Sequence, residues 1–348
     1  MRPSALFLAR CARSCRFSGH GKDLSAWKVT DTYENVSVLV LVSSTMTMTG
    51  SGPHMRVLPD GRLHLSHGPI DLIIQAWGAP GEVAGSYDRA VQIFAGILPA
   101  LVAELPALRS PLGAELPVLS GPVARRMVAA AAPYRPRFIT PMAAVAGAVA
   151  DHVLEAMTGR HDLARAYVND GGDIRIHLAP GERLVCGVVT DLAAPRVDGC
   201  IELSSDMPVR GIATSGAASK GSGGKSFSFG IADAVTVLSQ TAAEADAAAT
   251  IIANAVDLPG HPEILRQPAS EIDPDSDLGD RLVTQSVGML TAAEIGSALA
   301  AAAVEATELH GRGLIYGAVL ALRGRYRLVG AVPALSGPGG ETALIAGG

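Results

Sequence analysis

Aromatic residues, cysteines and long apolar runs are all scarce in this chain of 348 residues. Phenylalanine, tyrosine and tryptophan make up 4% of it, so we expect a compact interior of alanine, glycine and valine. The four cysteines show no CxxC pair and no metal-ligand spacing, which favours a reduced cytoplasmic protein over a disulfide scaffold. No apolar stretch is long enough to cross a membrane. The net charge is only −5, and no basic stripe indicates nucleic-acid binding.

The first 54 residues differ in composition from the rest of the chain. Residues 1–22 contain basic residues and no acid, and residues 43–55 are rich in serine, threonine, glycine and methionine. This composition predicts a disordered or wrongly extended N-terminus over residues 1–54, although the basic start also resembles an organellar transit peptide. The pattern that follows predicts one domain over residues 55–335 and a flexible C-terminal tail over residues 336–348.

Helix and strand patterns alternate along that domain without a regular βαβ rhythm. Helices are predicted from a Ser86 cap to Pro106, at 122–133, from a Thr140 cap over 141–159, at 241–256 and from 291 onward. Strands are predicted at 163–169, 174–178, 183–190, 199–203, 208–214 and 227–239, and again near 281–287, 314–322 and 325–331. This mixture of elements, with hairpins, predicts an α+β fold in a single domain.

Two adjacent glycines interrupt a strand-like run in the sequence YVNDGGDI, residues 167–174. Glycines inside a strand mark a bend, a bulge or a place where another group approaches the backbone closely. Gly171 and Gly172 are followed directly by an acid, Asp173. A plain hairpin turn explains the two glycines as well as a ligand does, so the pattern leaves both interpretations open.

The sequence TAAEADAAATIIANAV, residues 241–256, predicts a helix that is buried on most sides and opened by a TxxE capping box. Its polar interruptions, Asp246, Thr250 and Asn254, recur every four residues and therefore lie on one face. A buried carboxylate needs a partner. Mg²⁺ would provide one, because a carboxylate and a hydroxyl are hard oxygen ligands. The structural alternative pairs Asp246 with a buried arginine and the Thr250 hydroxyl with the Asp246 carbonyl.

Three of these motifs, in this order, resemble the ApbE-like superfamily, which includes the FAD:protein FMN transferases. The motifs are YVNDGGDI (167–174), GIATSG (211–216) and EADAAATIIANAV (244–256). The stretch TPMAAVAGAVAD (140–151) resembles a degenerate copy of that family's glycine-rich helix start. The resemblance spans about residues 67–256 and is stronger to an uncharacterised side branch of the superfamily. It implies a T-fold-related architecture of duplicated antiparallel sheets with packed helices.

The resemblance also implies a site for FAD and Mg²⁺. Asp246 and Thr250 match the two side chains that hold Mg²⁺, and a backbone carbonyl is expected from residues 145–147. The residues that match loops around the flavin nucleotide are Gly171, Gly172, Asp173, Thr214, Ser215 and Gly216. The implied partners are a flavin nucleotide and an acceptor protein whose hydroxyl group receives FMN.

Transfer of FMN to a hydroxyl needs a general base, and Asp233 in GIADAVTV is the candidate. The alternative for Asp233 is a carboxylate at a strand edge or in a turn. The chain departs from active family members at Ala146, where they carry a lysine, and at Thr140, where they carry an acid. It also lacks their His-containing loop after TSG.

Because the binding motifs are present and these other features are missing, we expect binding of metal and nucleotide more strongly than transfer of FMN. The leading hypothesis is a Mg²⁺-dependent flavin-nucleotide protein that acts as an FMN transferase or an FAD pyrophosphatase. The alternatives are a non-catalytic carrier of flavin or another nucleotide, and a scaffold without a ligand.

Overall fold

The computed structural model describes residues 52–188, 199–216 and 227–332. It also contains three short strands, Phe17–Ser18 (β1), Lys28–Val29 (β2) and Val38–Val40 (β3). Apart from these strands and residues 52–54, the predicted N-terminal extension lies outside the described residues, as does the whole predicted tail over 336–348. Both therefore stay predictions. Within the described ranges, no helix combines the length and the apolar character needed to span a membrane.

Most of the remaining strands belong to one large sheet. In chain order they are His54–Val57 (β4), Leu63–His67 (β5), Ile70–Gly78 (β6), Leu163–Asp170 (β7), Asp173–Leu178 (β8), Arg183–Val188 (β9), Gly199–Ser204 (β10), Gly211–Ser215 (β11), Ala234–Ser239 (β12), Ile264–Pro268 (β13), Leu282–Val287 (β14), Gly317–Leu322 (β15) and Arg325–Gly330 (β16). Nine of them form an antiparallel sheet in the order β16-β15-β12-β11-β8-β7-β6-β5-β4. Strands β9 and β10 pair with each other, β3 joins β9 in parallel, and β13 and β14 form a separate hairpin.

The helices come mainly in the intervals between groups of strands. They are Pro80–Ala103 (α1), Leu105–Leu108 (α2), Pro122–Ala131 (α3), Val145–Thr158 (α4), Ala242–Ala255 (α5), Ala269–Ile272 (α6) and Ala292–Gly311 (α7), with 3-10 turns at Ala132–Tyr134 and Pro141–Ala144. Helix α5 begins with the predicted capping box. The Thr241 hydroxyl accepts from the Glu244 N–H at 3.2 Å, and the Thr241 N–H donates to the Glu244 carboxylate at 3.1 Å.

Two of the predicted helix starts are wrong. Helix α1 begins at Pro80, and Ser86 is fully buried inside it, where its hydroxyl donates to the Val83 carbonyl at 2.8 Å. Thr140 does not cap a helix either, because a 3-10 turn follows it and its hydroxyl donates to the Asp277 carboxylate. Serine and threonine hydroxyls bond to many local acceptors, so their presence alone does not fix where a helix starts.

The large sheet is covered on both faces. Helices α1, α3, α4, α5 and α7 pack on one face, over a core that includes Leu72, Val168 and Val237. Strands β9 and β10 cover the other face over a second core that includes Ile176 and Ile201. The predicted α+β class is confirmed at the level of one mixed domain with a large antiparallel sheet. The duplicated, T-fold-related arrangement stays a prediction.

Two glycines allow α5 to lie unusually close to its neighbours. A Cβ atom on Gly147 of α4 would lie 2.3 Å from the Ala242 carbonyl oxygen, and one on Gly211 of β11 would lie 2.0 Å from the Thr241 carbonyl oxygen. Both obstacles are backbone atoms, which cannot move aside as a flexible side chain does. The start of α5 is therefore held between α4 and β11, and this fixes the position of Asp246 one turn further along.

Candidate functional site

Asp246 is half-buried on α5 and lies among other acidic side chains. Its Oδ2 atom accepts a hydrogen bond from the Gly147 N–H at 3.1 Å. Burial raises the pKa of Asp246 well above its ordinary value, and the negative charges of Asp173, Asp170 and Asp151 raise that pKa further. The contact with Gly147 brings the 145–147 segment to Asp246 through an N–H group. The backbone carbonyl that the resemblance implies from this segment stays a prediction.

The structural alternative for the polar face of α5 is not found in the described part of the chain. No arginine or lysine there forms an ion pair with Asp246. Thr250, one helical turn further on, is also half-buried, and its hydroxyl makes no hydrogen bond to the Asp246 carbonyl. Asp246 therefore lacks a cationic protein partner within these ranges.

Asp173 joins two of the predicted loops. Its Oδ1 atom accepts a hydrogen bond from the Thr214 N–H at 3.2 Å. The Thr214 Oγ1 atom in turn lies 2.9 Å from Thr236 Oγ1 on the neighbouring strand. Burial raises the pKa of Asp173 to about 7. The structure thus brings the GGD turn, the start of TSG and Asp246 into one region.

Gly171 and Gly172 form the two-residue turn between β7 and β8. Their φ angles are +63° and +114°, and the Asn169 Oδ1 atom accepts from the Gly172 N–H at 2.9 Å. Positive φ at both central positions is a property of tight hairpin turns, so the turn alone explains both glycines. A Cβ atom at either position would meet nothing within 4 Å, which leaves open space above the turn. Their role in ligand binding stays a prediction.

Ser215 ends β11, and Gly216 follows it with a φ of +116°. A Cβ atom on Gly216 would lie 2.9 Å from the Ala232 carbonyl oxygen, so the two backbone segments pack closely here. The Asp233 carboxylate accepts from the Arg323 N–H, in the turn between β15 and β16 where Arg323 has a φ of +49°. This geometry agrees with the turn-supporting alternative for Asp233.

Two carboxylates beside Asp246 were not predicted from the sequence. Asp170 is buried, its Oδ1 atom accepts from the Asp71 N–H at 3.3 Å, and burial raises its pKa well above the ordinary value. Asp151 is buried on α4 and accepts from the first two N–H groups of α5, both at 3.0 Å. The Arg175 Nε atom lies 3.4 Å from Asp151. Asp170 directly precedes Gly171 and Gly172, so its position in the sequence could have marked it as a site residue. Nothing in the local sequence marks Asp151.

The donors around Asp246 do not form a complete metal site by themselves. In the described ranges, no three His, Cys, Asp or Glu side chains are arranged closely enough to hold a metal ion. The candidate ligands are the Asp246 carboxylate and the Thr250 hydroxyl, and both are hard oxygen donors. Mg²⁺ commonly uses one or two carboxylates and completes its octahedron with phosphate oxygens and water. This donor set therefore fits Mg²⁺ that binds together with a nucleotide.

A small cavity is lined by residues other than these. Its volume is about 70 Å³, and it is lined by α1, the start of α3 and His152 of α4. Pockets for drug-sized ligands usually measure roughly 300–1,000 Å³. The cavity is too small for a nucleotide and contains none of the predicted site residues.

Comparison with known proteins identifies a family without an assigned activity. The family model described as "AbpE bacteria" matches residues 55–328. The chain is 39% identical over 118 residues to a UPF0280 protein of Methanothrix thermoacetophila, 36% over 116 residues to one of Methanobrevibacter smithii, and 37% over 118 residues to one of Archaeoglobus fulgidus. These matches cover 34%, 33% and 34% of this chain and 46%, 46% and 45% of the relatives. The chain thus spans less than half the length of the curated relatives it matches.

Proposed function

This chain belongs to the family described as AbpE bacteria, and we propose that it is a Mg²⁺-dependent flavin-nucleotide protein of the ApbE-like superfamily. The three motifs that carry the resemblance lie on β7–β8, β11 and α5. The hydrogen bond from Thr214 to Asp173 and the effect of Asp173 on Asp246 connect all three. In the described ranges Cys186 is a buried thiol that forms no disulfide, which fits a location in the cytoplasm.

The observation that carries this proposal is the charge around Asp246. Asp246 lies near Asp170 and Asp173, and no arginine or lysine of the described chain pairs with it. Several carboxylates that share a poorly solvated region repel one another, and either a proton or a bound cation relieves that repulsion. A divalent cation held by Asp246 and Thr250 would provide this relief and would also attract a phosphate group.

The reaction that the superfamily resemblance implies is cleavage of the FAD pyrophosphate. A hydroxyl oxygen of an acceptor protein, or of water, attacks the phosphorus of the FMN half, AMP leaves, and the hydroxyl proton passes to a base. When bound, Mg²⁺ would neutralise charge on the phosphoryl oxygens. On the protein side, the open turn at Gly171 and Gly172 would let a phosphate approach the backbone closely.

A non-catalytic carrier is the second candidate, and the geometry of Asp233 favours it. The carboxylate of this predicted base is already bonded to the Arg323 N–H. A general base must lie within hydrogen-bond reach of the proton that it accepts, and a displacement of about 1 Å can reduce the rate roughly a hundredfold. With Ala146 in place of the family's lysine as well, we expect binding of the nucleotide to exceed its turnover.

Mass spectrometry distinguishes these activities. The full chain is incubated with FAD, Mg²⁺ and a peptide that contains serine and threonine, with the Asp246→Asn variant as the matched control. We expect FAD to bind, and the peptide to gain FMN slowly or not at all. Rapid gain of one FMN mass would identify a transferase, and release of AMP without labelled peptide would identify a pyrophosphatase. If no flavin binds, the proposed function is wrong.

A further inference from the structure

A second cluster of side chains lies between the segment before α4 and the β13–β14 hairpin. The Arg281 guanidinium lies over the Phe138 ring, with its Cζ atom 3.6 Å from the ring centre. The rings of Phe138 and Phe229 lie 6.0 Å apart at an angle of 58°. We call Phe138, Phe229 and Arg281 the ring–guanidinium stack. Both phenylalanines are half-buried and Arg281 is exposed.

Arg281 has no carboxylate partner among the described residues, although the loop before it is acidic. The Asp277 carboxylate accepts instead from the Thr140 hydroxyl, and the Asp280 carboxylate accepts from the Ser270 hydroxyl at 2.6 Å. A guanidinium carries five N–H donors around the edge of its plane. When the face of that plane lies on an aromatic ring, these donors remain available to bind a ligand. The structure therefore holds an exposed arginine that is positioned on a ring and makes no ion pair within the described residues.

The ring–guanidinium stack is attached to the polar face of α5. The Asn254 Oδ1 atom accepts from the Phe229 N–H at 2.9 Å and from the Ser228 hydroxyl at 3.2 Å. Asn254 follows Asp246 by eight residues, which is about 12 Å along a helix axis. Asp246 and the stack thus lie toward opposite ends of one polar line on α5.

We propose that Arg281 binds a phosphate group of the ligand, and that Phe138 positions its guanidinium. The nature of the ligand, a flavin nucleotide, rests on the proposed function above. Arginine binds phosphate through two parallel, charge-assisted hydrogen bonds, and stacking on a ring reduces the freedom that it loses on binding. The carboxylates around Asp246 repel a polyanion. Arg281 supplies positive charge in a chain that has Ala146 at the position of the family's lysine.

Calorimetry with inorganic pyrophosphate and with FAD tests this proposal on the full chain. The variants are Arg281→Gln, Arg281→Lys and Phe138→Leu, and the charge-matched control is Arg56→Gln on the opposite edge strand β4, where Arg56 is also exposed. We expect Arg281→Gln to weaken binding of both ligands by about tenfold or more. Arg281→Lys and Phe138→Leu should give smaller losses, because the first keeps the charge and the second keeps the guanidinium. Arg56→Gln should bind like the wild type.

The proposal is wrong if Arg281→Gln binds both ligands as tightly as the wild type does, or if the wild type does not bind pyrophosphate. Titration with riboflavin, which has no phosphate, distinguishes failure of the Arg281 proposal from failure of the proposed flavin function. If Arg281→Gln weakens riboflavin as much as FAD, Arg281 contacts the flavin ring and the phosphate assignment is wrong. If the wild type binds pyrophosphate through Arg281 but binds no flavin, the phosphate site stands and the flavin assignment fails.

Discussion

The carboxylate of Asp173 has a pKa of about 7 because it is buried, against 3.8 for an ordinary aspartate. Asp170 and Asp246 have raised pKa values for the same reason, and their mutual repulsion adds to the effect on Asp246. A carboxyl group with a raised pKa holds its proton more tightly in the folded protein than in the unfolded chain. Its contribution to stability is therefore greatest at low pH and is lost as the pH rises through the folded pKa.

The expected loss of stability with rising pH can be tested on Asp173. Between pH 3.8 and about 7 the unfolded chain loses the proton of Asp173 while the folded protein keeps it, so folding should weaken across this window. In EDTA, the melting temperature of the wild type should fall relative to that of Asp173→Asn as the pH rises from about 4 to about 7. Asparagine keeps an oxygen for the Thr214 N–H, and the exposed Asp88→Asn is the control. If the difference in melting temperature between Asp173→Asn and the wild type did not change with pH, the raised pKa of Asp173 would be contradicted.

The Asp246→Asn variant tests the metal ligand. The amide keeps an oxygen for the Gly147 N–H and removes a charge next to Asp170 and Asp173, so stability should be unchanged or higher. The rise in melting temperature that Mg²⁺ and FAD together produce should be lost, and Thr250→Val should reduce it. A loss of about 3 kcal/mol of stability without any effect of Mg²⁺ would instead indicate a broken buried ion pair.

Among the elements, α5 was predictable from the sequence because its signals are local. The capping box at Thr241 and the polar repeat of Asp246, Thr250 and Asn254 depend only on helix geometry. What each polar residue contacts was not predictable. Asp246 accepts from a residue 99 positions earlier, and Asn254 fixes a loop 25 positions earlier. Such contacts depend on tertiary packing, which a local pattern does not contain.

The close crossing of α4 and α5 gives a prediction at this scale. Gly147→Ala places a Cβ atom 2.3 Å from the Ala242 carbonyl oxygen, so the helices must separate and the Gly147 N–H must move away from Asp246. We expect a loss of about 1–3 kcal/mol of stability on urea unfolding, together with weaker Mg²⁺-dependent FAD binding. Gly296→Ala in α7, where a Cβ atom meets nothing within 4 Å, is the control and should be neutral or stabilising by up to about 1 kcal/mol. Equal effects of the two substitutions would contradict the crossing.

At the scale of the molecule, the α+β class followed from the mixed periodicity, while the strand order did not. The large sheet places β12 between β11 and β15, which are about a hundred residues apart in sequence, and no local pattern specifies such pairing. Strand β13 was missed because its side chains are mostly exposed or half-buried, with Leu265 62% exposed, and its alternation is weak. The predicted strand over 227–239 begins only at Ala234, because Asn254 holds residues 228 and 229 in a loop.

The central claim is that this fold binds a flavin nucleotide through a cation at Asp246. Isothermal titration of FAD into the full chain, once with Mg²⁺ and once with EDTA, tests it most directly. We predict micromolar affinity with Mg²⁺ and binding weaker by about tenfold or more without it, since the carboxylates then repel the phosphates. Equal affinity under both conditions, or no binding of FAD in either, would contradict the claim.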